Sequence, residues 1–159
     1  MEPDASFDAT FRAHYWPMVR ALTVACGDQE VAADAVQDGF TRAYARWRRI
    51  SRYDDPAGWI RHVALNRIRD HHRRDTRKHK AVARLSTEAA TTVPPPEAPG
   101  DVDALLAQLP QQQRIAAALF YVEDLSVREV ATSMKLSEGA VKYHLHAART
   151  ALAQMVRTP

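Results

Sequence analysis

The stretch "STEAATTVPPPEAPGD" does most to limit what this chain can fold into. Pro94, Pro95, Pro96 and Pro99 lack the amide that a helix needs, and a proline ring clashes with the preceding turn. Almost no large apolar residue accompanies them, so the stretch has little to bury. A structureless loop of this length is uncommon inside one compact domain. Residues 86–100 therefore read as a linker, with one domain in residues 1–85 and a second in residues 101–159. A chain of 159 residues has room for both.

The periodicity on both sides predicts helices. Phe7, Phe11, Tyr15, Met18 and Leu22 recur at helical spacing, with Pro17 expected to kink the series. Val31, Ala35, Phe40, Ala43 and Trp47 mark a second helix. Trp59, Ile60, Val63, Ala64 and Ile68 mark a third, and Pro56 suits its first turn. Beyond the linker, Leu105, Leu106 and Leu109 stop at Pro110, and Ile115, Leu119 and Val122 follow. Nowhere does the chain alternate like a strand. The fold class expected is all-α: two small helical domains on a Pro-rich linker, the second containing a helix-turn-helix.

That motif lies in "VREVATSMKLSEGAVKYHLHAAR". Ser126 and Glu129 have the spacing of a capping box, in which hydroxyl and carboxylate each satisfy a helix-end amide. A short helix then carries Val127, Val130, Ala131 and Met134 to a turn at Lys135-Leu136. Ser137 can cap the last helix, whose inner stripe is Val141, Leu145, Ala148, Leu152 and Met155. Its outward face holds Gly139, Lys142, Tyr143 and His146, with Arg149 at the edge. Such a helix fits the major groove with its N-terminal residues nearest the base edges. Lys142 and Arg149 would mostly meet phosphates. A helical hairpin with a solvated charged face has the same pattern.

Charge is distributed unevenly. The net charge is only +3, but acidic residues dominate up to Asp38 and basic ones dominate from Arg42 to Arg84. "GWIRHVALNRIRDHHRRDTRKHK" mixes arginines with polar and stacking side chains, which suits single-stranded or melted nucleic acid. A solvated arginine face is the plainer alternative. His71, His72 and His79 lack the cysteines or clustered carboxylates of a known metal site, so no metal is expected. No phosphate loop or nucleophile-base pair is present, so neither a cofactor nor catalysis is expected. Cys26 is the sole cysteine and can form no internal disulfide. No apolar run approaches the ~20 residues of a membrane span. The N-terminus lacks a signal-peptide core, so the expected location is the cytoplasm, without membrane insertion.

Taken together, these segments resemble the extracytoplasmic-function sigma factors of bacterial RNA polymerase. "DAVQDGFTRAYARW" is similar to the family's polymerase-binding helix, and "DPAGWIRHVALNRIRDHHRR" to its promoter-melting helix. The segment from Leu109 to Arg149 resembles the domain that reads the −35 element. The resemblance implies a promoter-specificity subunit that binds core RNA polymerase (the clamp helices of its largest subunit, and its flap) and promoter DNA. It implies polymerase contacts by Asp34, Val36, Gln37, Asp38 and Phe40. It implies −10 recognition and melting by Arg61, Asn66, Arg67, Arg69, Asp70, Arg73 and Arg74, with "SRYDDPAG" as the loop that captures a flipped base. It implies −35 contacts by Ser137, Gly139, Lys142, Tyr143, His146 and Arg149. It also suggests an anti-sigma factor as partner, covering working surfaces on two domains with few contacts to fix their mutual orientation. Because Pro159 follows soon after the last helix, control is expected from such an external protein rather than from a C-terminal extension.

Three departures from the family pattern stand out. Gly39 sits mid-helix, at a propensity cost of roughly 1 kcal/mol. Lys135 stands in the turn where glycine is common, and a left-handed residue there is strained. His144 and Ala147 replace basic residues frequent in the recognition helix. Two other functions compete: a conventional helix-turn-helix regulator with an N-terminal sensing or dimerisation domain, and an all-helical enzyme with a DNA-binding tail.

Overall fold

Gly27 and Asp28 make the first corner of the chain. Gly27 takes a φ of +81°, open to glycine without strain. The Asp28 carboxylate accepts from the amides of Glu30 (2.9 Å) and Val31 (3.3 Å), capping the helix that follows. The structure is a computed structural model that describes residues 3–85 and 101–157. Helix α1 (Pro3–Cys26) runs through Pro17, and α2 (Gln29–Ala45) turns back along it. A single turn, α3 (Trp47–Ile50), leads by a loop into α4 (Pro56–Leu85). The second part holds α5 (Asp101–Ala107), α6 (Gln111–Ala117) continuing into a π-helical turn (Ala118–Val122), α7 (Val127–Met134) and α8 (Glu138–Arg157). No strand occurs among the described residues. The expected linker, residues 86–100, lies outside them.

The first part closes around an aromatic and aliphatic centre. Phe7 meets the rings of Tyr44 (5.1 Å) and Trp47 (5.4 Å), and Phe11 meets Phe40 (5.0 Å), all edge-on. Beneath them Met18, Leu22, Val36, Ile60 and Leu65 are fully buried. Gly39 is where α2 and α4 cross. A Cβ there would lie 2.8 Å from the carbonyl oxygen of Ile60. The helix-propensity cost at this residue thus accompanies a close backbone approach that no larger side chain permits.

Local chemistry sets the second part as well. The Glu129 amide donates to Ser126 Oγ (3.1 Å) and the Ser126 amide to Glu129 Oε1 (3.0 Å), a complete capping box. Lys135 ends α7 in the left-handed region, φ 53° and ψ 49°. The Leu136 amide then donates to the carbonyl of Ala131 (3.0 Å), and the Ala140 amide to Ser137 Oγ (3.1 Å) at the start of α8.

The two parts are not loosely juxtaposed. α1 packs on α5, α6 and the π turn as well as on α2, and α4 packs on α7. Ile115, Leu119, Val130 and Leu145 share one continuous core with Met18, Leu22 and Ile60. Val24 of α1 also packs on the cluster of Leu106, Leu109, Ala117 and Ala148. The expectation of few contacts fixing their orientation is therefore corrected. Domains this small bury a limited share of their apolar surface alone, and the shared core removes more of it from water.

Candidate nucleic-acid interface

α4 positions most of the candidate opening residues. Its inner stripe, Ile60, Ala64, Leu65 and Ile68, is buried and fixes the roll of the helix. Asp55 caps its start, accepting from the Gly58 amide at 2.9 Å. The opposite face presents Asn66, Arg67, Asp70, Arg73 and Arg74 to solvent. Asn66 pairs with His62 (3.1 Å), Arg73 lies 3.8 Å from Asp70, and Arg67 lies 3.3 Å from Asp38 on α2. Asn66, Arg67, Asp70 and Arg74 border a polar recess of about 310 Å³. From 71 to 83 every residue is exposed, so the basic run forms a projecting helical arm.

Two arginines of the set depart from that face. Arg69 is half-buried and donates to Gln112 of α6 at 3.3 Å. Arg61, expected among the nucleic-acid contacts, is only 1% exposed. It lies 2.5 Å from Glu123 and donates to Ser133 Oγ at 2.8 Å. The expectation is corrected for this arrangement: α4 turns Arg61 inward, toward the second part, because its neighbour Ile60 belongs to the core stripe.

The loop before Trp59 leads to a larger cavity, about 830 Å³. Tyr53, Asp55, Trp59 and His62 form one side, and Arg128 and Thr132 of α7 with Lys135 at its end form the other. An aromatic ring beside carboxylates and cations could stack on and hydrogen-bond a nucleobase. The His62 ring lies 3.0 Å from the Ser133 carbonyl oxygen, and burial lowers its pKa. The neutral ring is thereby favoured near pH 7.

On α8, Ser137, Gly139, Lys142, Tyr143, His146 and Arg149 are all exposed. Val141, Leu145 and Ala148 are buried and hold that face outward. Arg149 is already engaged: its Nε donates to the Tyr121 hydroxyl at 2.6 Å, and the guanidinium lies 5.9 Å from the Phe120 ring centroid. It acts first as a brace between α8 and the π turn.

The candidate polymerase face divides similarly. Asp34 and Gln37 are exposed, while Val36 and Phe40 are core residues at 0% and 3% exposure. Val36 and Phe40 pack inward and anchor α2. Asp38 is bound by Arg42 (3.0 Å) as well as by Arg67. Gln37 donates to the Tyr15 hydroxyl (3.2 Å) beside an apolar groove bordered by Phe7, Phe11 and Tyr44. Sequence reasoning missed Glu123, Ser133 and His62. They lie within the quoted segments, but no spacing there singles them out, and only their meeting in space marks them. Among the described residues no group of histidine, cysteine and carboxylate side chains could hold a metal, and no helix is long and apolar enough to cross a membrane.

Comparison with known proteins bears on all these surfaces. The family model for sigma-70 region 2 matches residues 10–78, and that for sigma-70 region 4 matches residues 100–152. The chain is 31% identical over 142 residues to the ECF RNA polymerase sigma factor SigF of Caulobacter vibrioides, covering 87% of this chain and 76% of that one. It is 34% identical over 147 residues to the ECF RNA polymerase sigma factor SigL of Mycobacterium tuberculosis, covering 86% and 79%. Its fold is similar to the sigma factor RpoE of Bartonella quintana, solved with the anti-sigma factor NepR, with a TM-score of 0.75, 18% identity and coverage of 96% and 97%. It is also similar to CnrH, solved with the cytosolic domain of CnrY, at a TM-score of 0.64, 23% identity and coverage of 94% and 86%.

Proposed function

Since this chain belongs to the extracytoplasmic-function sigma factors, we propose that it joins core RNA polymerase, directs it to promoters and divides promoter recognition and opening between α8 and α4. The observation that carries this reading is the presence of two exposed faces of different chemistry. α8 presents Lys142, Tyr143 and His146 on a capped helix suited to the major groove. α4 presents Asn66, Arg67 and Arg74 around a polar recess, which suits an unpaired strand, while Tyr53 and Trp59 edge a separate cavity, which suits an extruded base. The exposed Asp34 and Gln37 of α2 are proposed to meet the polymerase clamp, and the second domain its flap. Residues 1–85 and 101–159 act as the two promoter-binding domains, joined through residues 86–100. The protein works in the cytoplasm as a binding subunit without catalytic chemistry of its own. An anti-sigma factor is its proposed inhibitor, because RpoE and CnrH, which share this fold, are each solved in complex with a second protein.

The test is transcription by purified core polymerase from a promoter upstream of the protein's own target genes. Addition of the protein should give a discrete start site. Asn66→Ala should lose opening of duplex templates and recover on templates already melted at the −10 element. Lys142→Ala or His146→Ala should instead weaken −35 recognition, by ~1–3 kcal/mol for a residue in good base contact, on either template. Rescue of the α8 variants by pre-melting, with no rescue of Asn66→Ala, would reverse the assignment of the two helices.

A further inference from the structure

The cavity of about 830 Å³ between the loop before α4 and α7 has two unlike walls. On the loop side Tyr53 and Trp59 supply aromatic rings, and Asp54 an exposed carboxylate. On the other side Arg128, Thr132 and Lys135 recur at helical spacing and share one exposed face, with Arg52 adding a further cation at the rim. The remaining carboxylates of the lining are committed to caps: Asp55 accepts from the Gly58 amide at 2.9 Å, and Glu129 from the Ser126 amide at 3.0 Å. Among the described residues, Arg52, Asp54, Arg128 and Lys135 have no ion pair or side-chain hydrogen bond. Lys135 also has a strained backbone, φ 53° and ψ 49°, where glycine would sit freely. Its side chain is exposed, so no packing offsets that strain. A strained residue on the wall of a cavity points to a task for its side chain. The charge of Lys135 reaches across the cavity: after burial, it helps to lower the pKa of His62.

We propose that this cavity binds a free guanine nucleotide, its base stacked on Tyr53 and Trp59 with its edge on Asp54, and its phosphates against Arg128 and Lys135. The proposal goes beyond the sigma-factor reading and does not rest on it, since both walls belong to this chain alone.

Each part of the ligand follows from one wall. The volume lies in the range of small-molecule cavities, about 300–1,000 Å³. Aromatic faces stack on any base and so do not choose among them. The carboxylate does choose, because an ionised carboxylate only accepts and offers two oxygens. Guanine presents a ring N–H and an amino group side by side, and both can donate to Asp54. The matching edge of adenine sets an acceptor nitrogen beside its amino group, and a carboxylate repels it. At the other wall, the Arg128 guanidinium suits paired phosphate oxygens, and the Lys135 ammonium adds a point charge. The aromatic wall is also the one proposed for an extruded base, so a bound nucleotide and a melted strand exclude one another there.

The site is tested by titrating the full chain, without polymerase, with GDP, ADP and inorganic phosphate in a calorimeter. GDP should bind about tenfold more tightly than ADP or phosphate, or better. Lys135→Gly should weaken GDP binding by about tenfold while raising the urea midpoint, a combination that a damaged fold does not produce. Lys135→Arg keeps the charge and should stay within about threefold of the wild type. Asp54→Asn, which replaces one acceptor by a donor, should bring GDP down to the level of ADP. No GDP binding by the folded wild type at about 1 mM, or equal GDP binding by Lys135→Gly, would overturn the site. Equal affinities for GDP and ADP, or for GDP and phosphate, would overturn the guanine nucleotide as its ligand. Transcription with core polymerase is read separately. GDP binding by a chain that directs no start site leaves the nucleotide site standing and sinks the sigma-factor reading. A directed start site with no GDP binding does the reverse.

Discussion

Glu123 holds its proton unusually firmly. Burial pushes its pKa up from 4.5 to about 7, against the attraction of Arg61, with nearby Glu129 and Asp55 adding to the rise. Folding therefore takes up a proton at this residue. This contribution to stability is complete below pH 4.5 and is lost as pH rises through about 7. His14 of α1 and His62 work in the opposite sense. Burial lowers both below 6.5, so their contribution is present above 6.5 and lost as pH falls through the lowered values. The two senses separate by substitution. Amide protection of α7 in the wild-type chain should fall between pH 4.5 and 7 relative to Glu123→Gln. Parallel profiles for the two proteins would show that Glu123 does not titrate in that window.

At the scale of the element, two residues that weaken a helix locally have opposite explanations. Gly39→Ala would gain about 1 kcal/mol of helix propensity, yet its Cβ would press on the Ile60 carbonyl. Backbone cannot yield as a side-chain tip can, so the net effect should be a loss of about 1–3 kcal/mol, read from urea denaturation. Lys135→Gly should do the reverse. Lys135 is exposed and left-handed, so glycine there should stabilise by up to ~1–2 kcal/mol, less whatever the freer unfolded chain takes back. A lower denaturation midpoint for Lys135→Gly would show that the lysine side chain contributes more than the strain costs. The capping box, the turn and the outward face of α8 were all legible beforehand, because each depends on residues within a few positions of one another. The burial of Arg61 was not. α4 carries arginines around much of its circumference, and nothing local distinguishes the one that faces Glu123.

The whole molecule sets how these surfaces are used. In the closed arrangement α8 is exposed but the cavity beside α4 is walled, so the free chain offers promoter DNA only part of its recognition surface. The isolated protein should bind duplex promoter DNA weakly at physiological salt, with a Kd in the range of non-specific binding, about 10⁻⁴–10⁻⁶ M. Addition of core polymerase should convert this to specific binding, measured by fluorescence anisotropy on matched and scrambled promoters. Tight, specific binding without polymerase would favour a conventional regulator.

What the sequence determined by itself is the all-helical class, the capped helix-turn-helix and the basic helix α4. Periodicity, capping and turn chemistry act over one or two helical turns, and the residues that carry them are adjacent in the chain. Only the tertiary structure decided that the two parts share a core, that Val36 and Phe40 lie within it, and that Arg61 is paired with Glu123. Those outcomes depend on which apolar stripes meet and which charge is carried into the seam with them. Both are set by packing between residues far apart in the chain, where the gain from burying apolar surface is weighed against the cost of desolvating charge.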